Sequence, residues 1–321
     1  MKWKLLFSLI FLVTAAFALA DSTQKPADNA ALRYWMAFAQ MNDSQISPAE
    51  VMRMNAMING GSPWDEREFG PIVERNKAAI ETMIRGSHLP YCEWGLETDL
   101  GPDTPIEYVP KAGALARLNN MYSMRLASAG DYHGAVRSTI AGVRFAQHLA
   151  ENGSFLGALT AKTALIPALL QAERLAVSNQ VPPDDLAALR ETVTALPIGG
   201  LDWSFAAHAE GAALHSVLIE MSDSRNLQAL HEKWFGDVPD AEFRAPTRKE
   251  IEQLDRVMAH YAQLLRLPPE QAEAQLPALQ KEIADLDKTS RTGVPNPARM
   301  LAQRTAIVKA QREAKEALKI Q

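Results

Sequence analysis

TRKEIEQLDRVMAHYAQLLR, residues 247–266, is the most legible segment of this 321-residue chain. Ile251, Leu254, Met258, Tyr261 and Leu265 recur at steps of three and four. Gln253, Arg256, His260 and Gln263 fall on the opposite side. An α-helix turns once every 3.6 residues, so this spacing makes one apolar stripe and one polar face.

The same period extends outward in both directions. Upstream it predicts helices over 202–222 and 224–235, and downstream over 269–287 and 297–319. The last of these loses its apolar stripe after Val308 and is expected to fray. Farther upstream, Val181-Pro182-Pro183-Asp184 caps a helix that ends before Pro197-Ile198-Gly199-Gly200. Three long helices are expected at about 111–129, 131–151 and 154–178, separated by Gly130-Asp131 and Asn152-Gly153-Ser154. Connections this short favour antiparallel neighbours. Near the start, Asp28 is the expected cap of a helix carrying Leu32, Tyr34, Trp35, Phe38 and Ala39. Ser47-Pro48-Ala49-Glu50 combines a capping box with a first-turn proline. A third helix runs to about Arg85, with Gly70-Pro71 as a point of interruption. Residues 86–110 form the longest irregular stretch, and no alternating strand pattern appears. The expected architecture is all-α: roughly ten helices in antiparallel helical hairpins, forming a bundle or a short α-solenoid. Its N-terminal subdomain covers 29–197 and its C-terminal subdomain 198–321, or the two make one continuous domain.

The first twenty residues read differently. Lys2 and Lys4 precede an apolar run from Leu5 to Ala20, which closes on Ala18-Leu19-Ala20 with Asp21 next. That is the pattern of a cleavable secretory signal, and the run is shorter than a membrane-spanning helix. Residues 21–28 are a polar, flexible lead. The expected location is therefore the periplasm or the exterior, with no stable membrane span after cleavage. Cys92 is the single cysteine, so an intramolecular disulfide is excluded. A net charge of −5, without a Lys/Arg block, argues against a nucleic-acid partner. A protein or peptide partner stays open.

Three segments carry a resemblance. They are Asn29-Ala30-Ala31-Leu32-Arg33-Tyr34-Trp35, the linker Cys92-Glu93-Trp94-Gly95 with Gly101-Pro102-Asp103-Thr104, and Ala114-Leu115-Ala116-Arg117-Leu118. Together they resemble an uncharacterised family of exported bacterial α-helical proteins over about residues 29–178. That resemblance implies no catalytic residues. Gly130, Tyr132 and Ala135 are similar to a tetratricopeptide helix-pair turn, although Gly134 and Thr139 depart from it and the 34-residue period does not repeat.

Specific chemical motifs are absent from the sequence. There is no phosphate-binding G-x-x-x-x-G-K-[ST], no G-x-G-x-x-G and no G-x-S-x-G. His231-Glu232 begins a zinc motif, but Phe235 stands where its second histidine belongs. No cofactor or metal is expected.

Two constellations remain. Counting about 100° per residue from Trp203, Glu210 falls at about 340°, inside the stripe of Ala207, Leu214, Val217 and Met221. His208 and His215 fall at about 140° and 120°. A carboxylate facing a core must be paired or hold its proton. One reading is a buried Glu210/His208/His215 cluster that binds metal or relays protons. The other is a structural ion pair between Glu210 and Arg125. The second constellation is Cys92, with His88 nearby and Glu97, Asp99 and Asp103 after it. It reads as a thiolate with a histidine base, as an acidic calcium loop, or as a buried thiol and a tryptophan anchor pinning the linker. Tyr34, Trp35 and Phe38 read as core before ligand groove. Arg137, Arg144, His148 and Glu151 share one helix face, expected to be solvated.

These features point first to a non-enzymatic binding or scaffold protein. The alternative is an enzyme or metal-binding protein using Glu210, His208, His215 or Cys92.

Overall fold

The computed structural model describes residues 28–42, 46–60, 62–96, 100, 104–105, 107–151, 153–236 and 244–320. The expected signal peptide, nearly all of the lead, and the acidic residues Glu97, Asp99 and Asp103 lie outside the described residues. The fold is all-α. The helices are α1 (Ala30–Gln40), α2 (Pro48–Gly60), α3 (Glu66–Gly86), α4 (Tyr108–Ser128), α5 (Tyr132–Ala150), α6 (Phe155–Val177) and α7 (Pro183–Thr194). Then come α8 (Ser204–Asp223), α9 (Leu227–Phe235), α10 (Arg248–Arg266), α11 (Pro269–Ala284), α12 (Lys288–Gly293) and α13 (Pro297–Ala317). Among the described residues the only β feature is an isolated bridge between Asn29 and Tyr91.

Helices α4, α5 and α6 pack consecutively and carry the centre. The α4–α5 turn is only three residues long because Gly130 adopts φ +81°, where a side chain would be strained. Asp131 then caps α5, accepting from the Gly134 N–H at 2.8 Å. Register between α4 and α5 is fixed by buried polar pairs. Asn119 Nδ2 donates to the Ser138 carbonyl at 2.9 Å, and Ser123 and Thr139 hydroxyls meet at 2.9 Å. Helix α6 is long and apolar enough to cross a membrane by composition, yet most of its apolar window is buried here.

Helices α1 and α3 pack together on one side, with α3 joining α4. On the other side α8 packs against α10, and α13 returns along α6 and touches α7. Helix α10 buries Ile251, Leu254, Met258, Tyr261 and Leu265, the stripe read from sequence.

Several boundaries differ from expectation. Asn29, not Asp28, caps α1, accepting from the Ala31 N–H at 3.0 Å. Helix α3 runs unbroken through Pro71, because buried Phe69, Ile72 and Val73 hold that turn against the core. Pro110 sits inside the first turn of α4, where its missing N–H would have no helical partner. The helix expected over 269–287 stops at Ala284, and Asp287 restarts the chain by capping Thr289 and Ser290 N–H groups. Helix α13 does not fray after Val308. Ala310, Gln311, Ala314 and Leu318 continue its buried stripe, the small alanines allowing close approach.

Candidate functional site

Helix α8 turns Leu214, Val217 and Met221 inward, and Trp203 just before it is buried too. Glu210 is half-buried on that side. Its partner is not Arg125. Glu210 Oε1 accepts the Phe155 N–H at 3.2 Å, at the first turn of α6. A helix start has unpaired N–H groups and a positive dipole end, so it receives a carboxylate well. Burial raises the Glu210 pKa, and the Phe155 N–H partly offsets it. Arg125 instead bridges two carboxylates of α3, Glu66 at 2.8 Å and Glu74 at 2.7 Å. Those two acids stand eight residues apart on one face, a better double acceptor than one distant acid.

The histidines of α8 turn elsewhere. His215 Nδ1 lies 3.0 Å from Asp255 Oδ1 on α10, and His208 is exposed. The expected buried cluster of the three is therefore not assembled. Glu210 alone reaches a cleft of about 330 Å³, walled by Leu214, Val217, Trp234 and Phe235. Among the described residues no group of three His, Cys, Asp or Glu side chains is placed to hold a metal.

Cys92 is half-buried in the linker before α4. Burial and then the Glu151 carboxylate push its thiol pKa up, against a smaller opposing effect of the Ala31 N–H. A thiol so raised stays protonated and is a poor nucleophile. His88 is not its base: Arg144 Nη1 meets His88 Nδ1 at 3.2 Å. The linker is pinned on both sides of Cys92. Ala30 N–H donates to the Tyr91 carbonyl at 2.8 Å, and Asn29 Nδ2 donates to the Glu93 carbonyl at 2.7 Å. Trp94 is buried and donates Nε1–H to the His148 carbonyl at 3.0 Å.

His148 was expected on a solvated face and lies in the core, 8% exposed. Its Nδ1 is 2.7 Å from the Tyr34 hydroxyl. Burial, then Arg144, lowers its pKa to about 4. The helical face is the one read from sequence, but α1 and the Trp94 linker cover its last turn. Tyr34 and Phe38 are core, with Trp94 stacked at 5.6 Å and 6.1 Å from their rings. Trp35 stays 39% exposed.

The uncovered part of that α5 face forms a groove. Between α3 and α5 lies a pocket of about 280 Å³ lined by Glu81, Ile84, Arg85, His88 and Arg137. Arg144 touches it through His88 and also lines a second pocket of about 190 Å³ against α7, together with Gln147 and Glu191. Arg137 and Arg144, seven residues apart, share a helix face and stand about 10 Å apart along the axis. Arg85 is steadied by donating to Thr82 Oγ1 at 2.8 Å. None of the three guanidinium groups has a carboxylate within ion-pair distance among the described residues, whereas Arg53, Arg125 and Arg244 do.

The sequence held a signal for this groove. Neither Arg137 nor Arg144 has an acid three or four positions away, so neither can pair along its own helix. The contribution of α3 has no local signature, because Arg85 and His88 arrive through tertiary packing. No family model matches the chain, and no curated protein or solved structure matches it either.

Proposed function

We propose that this chain is a non-catalytic ligand-binding protein working outside the cytoplasm, with the groove along α5 as its recognition surface. The observation that carries the reading is the set Arg85, Arg137 and Arg144, two guanidinium groups lining one pocket and a third at its edge, none with a carboxylate at ion-pair distance among the described residues. An arginine is charged at every physiological pH and presents five donors in a fixed fork. Three of them close together without a carboxylate acceptor among the described residues suit an external anion.

The rival reading is an enzyme built on Cys92 or on Glu210. The raised Cys92 pKa and the Phe155 bond of Glu210 both weigh against it. Export is supported by the leader-like residues Lys2 to Ala20.

The test has two parts. N-terminal sequencing of protein recovered from the native envelope should begin at Asp21, and a chain retained with Met1 in the cytoplasm would remove the export reading. Amide shifts of residues 137–147 should move on addition of a mixed panel of small anions, cations and short peptides. Turnover of any panel member that depends on Cys92 or Glu210 would favour the enzyme instead.

A further inference from the structure

The groove on α5 has more to say than that it binds. Its inner pocket is lined by two fixed positive charges, Arg85 and Arg137, against one carboxylate, Glu81, and Arg144 stands at its edge through His88. The facing groups come from both helices, and Glu191 of α7 lines the second pocket with Arg144. With Arg144 and Glu191 counted together, three arginines stand against two carboxylates, a surplus of one positive charge in a chain whose overall charge is −5. A positive site on a negative protein is not a general anion trap, since the whole-molecule field opposes it and only close contacts can compensate.

His88 adds a directed donor. Arg144 can only donate, so His88 Nδ1 must accept and the neutral ring carries its proton on Nε2. Burial, then Arg144 and Arg137, lowers the His88 pKa, which keeps the ring neutral near pH 7. The pocket thus offers guanidinium forks and one neutral N–H, and its polar side chains are donors with the exception of Glu81. Its volume of about 280 Å³ is at the small end of ligand cavities, which run from roughly 300 to 1,000 Å³. That suits a small molecule and not a folded partner.

We infer that the pocket between α3 and α5 binds a compact dianion, a phosphoryl group or a short dicarboxylate, on Arg85 and Arg137 with Arg144 reaching in from its edge. This inference rests on the groove being the recognition surface. The shared chemistry is two negative charges on oxygens that guanidinium forks can grip in pairs. A phosphoryl monoester carries about 1.5 to 2 negative charges at pH 7.

The experiment titrates the full folded chain with inorganic phosphate, succinate, acetate and methylammonium at constant ionic strength. Binding is read from amide shifts at α5 and from calorimetry. Saturable binding of phosphate, of succinate or of both, at least tenfold tighter than acetate, supports the inference, and the two arms separate the phosphoryl source from the dicarboxylate. Arg137→Gln combined with Arg144→Gln should weaken binding at least tenfold, and Glu81→Gln should tighten it. Circular dichroism of each variant checks that the fold is kept. Should the double substitution unfold the chain, the single Arg137→Gln variant, at an exposed position, gives the same reading. Acetate binding as tightly as the dianions, or dianion affinity unchanged by the arginine substitutions, would overturn the dianion inference. If panel peptides or monoanions shift the groove while neither dianion does, the ligand class falls and the groove reading stands. If no probe shifts the groove, both fall.

Discussion

The Tyr34 hydroxyl and His148 Nδ1 meet at 2.7 Å across 114 residues of sequence. That bond ties α1 to the last turn of α5, and Trp94 closes over it by donating to the His148 carbonyl. Both side chains are buried, so each satisfies a polar group the other would otherwise leave without a partner.

Replacing Tyr34 by Phe keeps the ring and removes the hydroxyl. His148 Nδ1 then stays buried without its partner. Urea denaturation should show a loss of about 1–3 kcal/mol. An unchanged midpoint would mean that the bond carries no stability.

His148 also sets an acid sensitivity. Its pKa is about 4 in the fold against an ordinary value of 6.5. The unfolded chain therefore binds its proton first as pH falls, and stability drains between about pH 6.5 and 4. Above pH 6.5 the contribution is fully present, and over the window the loss is roughly 3 kcal/mol. Burial raises the Glu151 pKa, and that carboxyl acts in the opposite sense. His148→Gln should flatten the fall in stability measured from pH 6.5 to 4. A slope as steep as that of the parent chain would assign it to other groups.

Cys92 should be a slow thiol. Its burial and the neighbouring Glu151 carboxylate keep it protonated. Alkylation at pH 8 should be at least tenfold slower for the folded chain than for the chain in denaturant. Equal rates would restore Cys92 as a nucleophile.

Glu210 works as a cap for α6 reached from another helix. Glu210→Ala should cost about 1 kcal/mol, since the Phe155 N–H loses its acceptor. Chelator treatment should leave the melting temperature unchanged, because the described acids and histidines form no metal-binding group. A drop on chelation would reinstate a metal at this position.

Much of the architecture is legible in the sequence. Helix α10 follows its spacing residue by residue, and Ser47 and Glu50 bond reciprocally at 2.7 and 3.3 Å as a capping box should. These features depend on neighbours a few positions away, which a sequence displays directly. What failed was local reading of non-local facts. The α5 face carrying Arg137, Arg144 and His148 is one face, but α1 covers one end and leaves the other open. Arg125 found Glu66 and Glu74 because α3, not α8, packs against α4. In α13, Ala310 and Ala314 were too small to mark a stripe by hydrophobicity, yet they let that helix lie close to its neighbours.

The clasp between Asn29 and Glu93 has a temporal side. Asn29 Nδ2 and the Glu93 carbonyl are 64 positions apart, and the start of α1 is held by that later segment. During synthesis, α3 is available for α1 to pack on before the Tyr91–Trp94 stretch is made, and the clasp is added afterwards. The cap of α1 is therefore completed only when a segment made 64 positions later arrives.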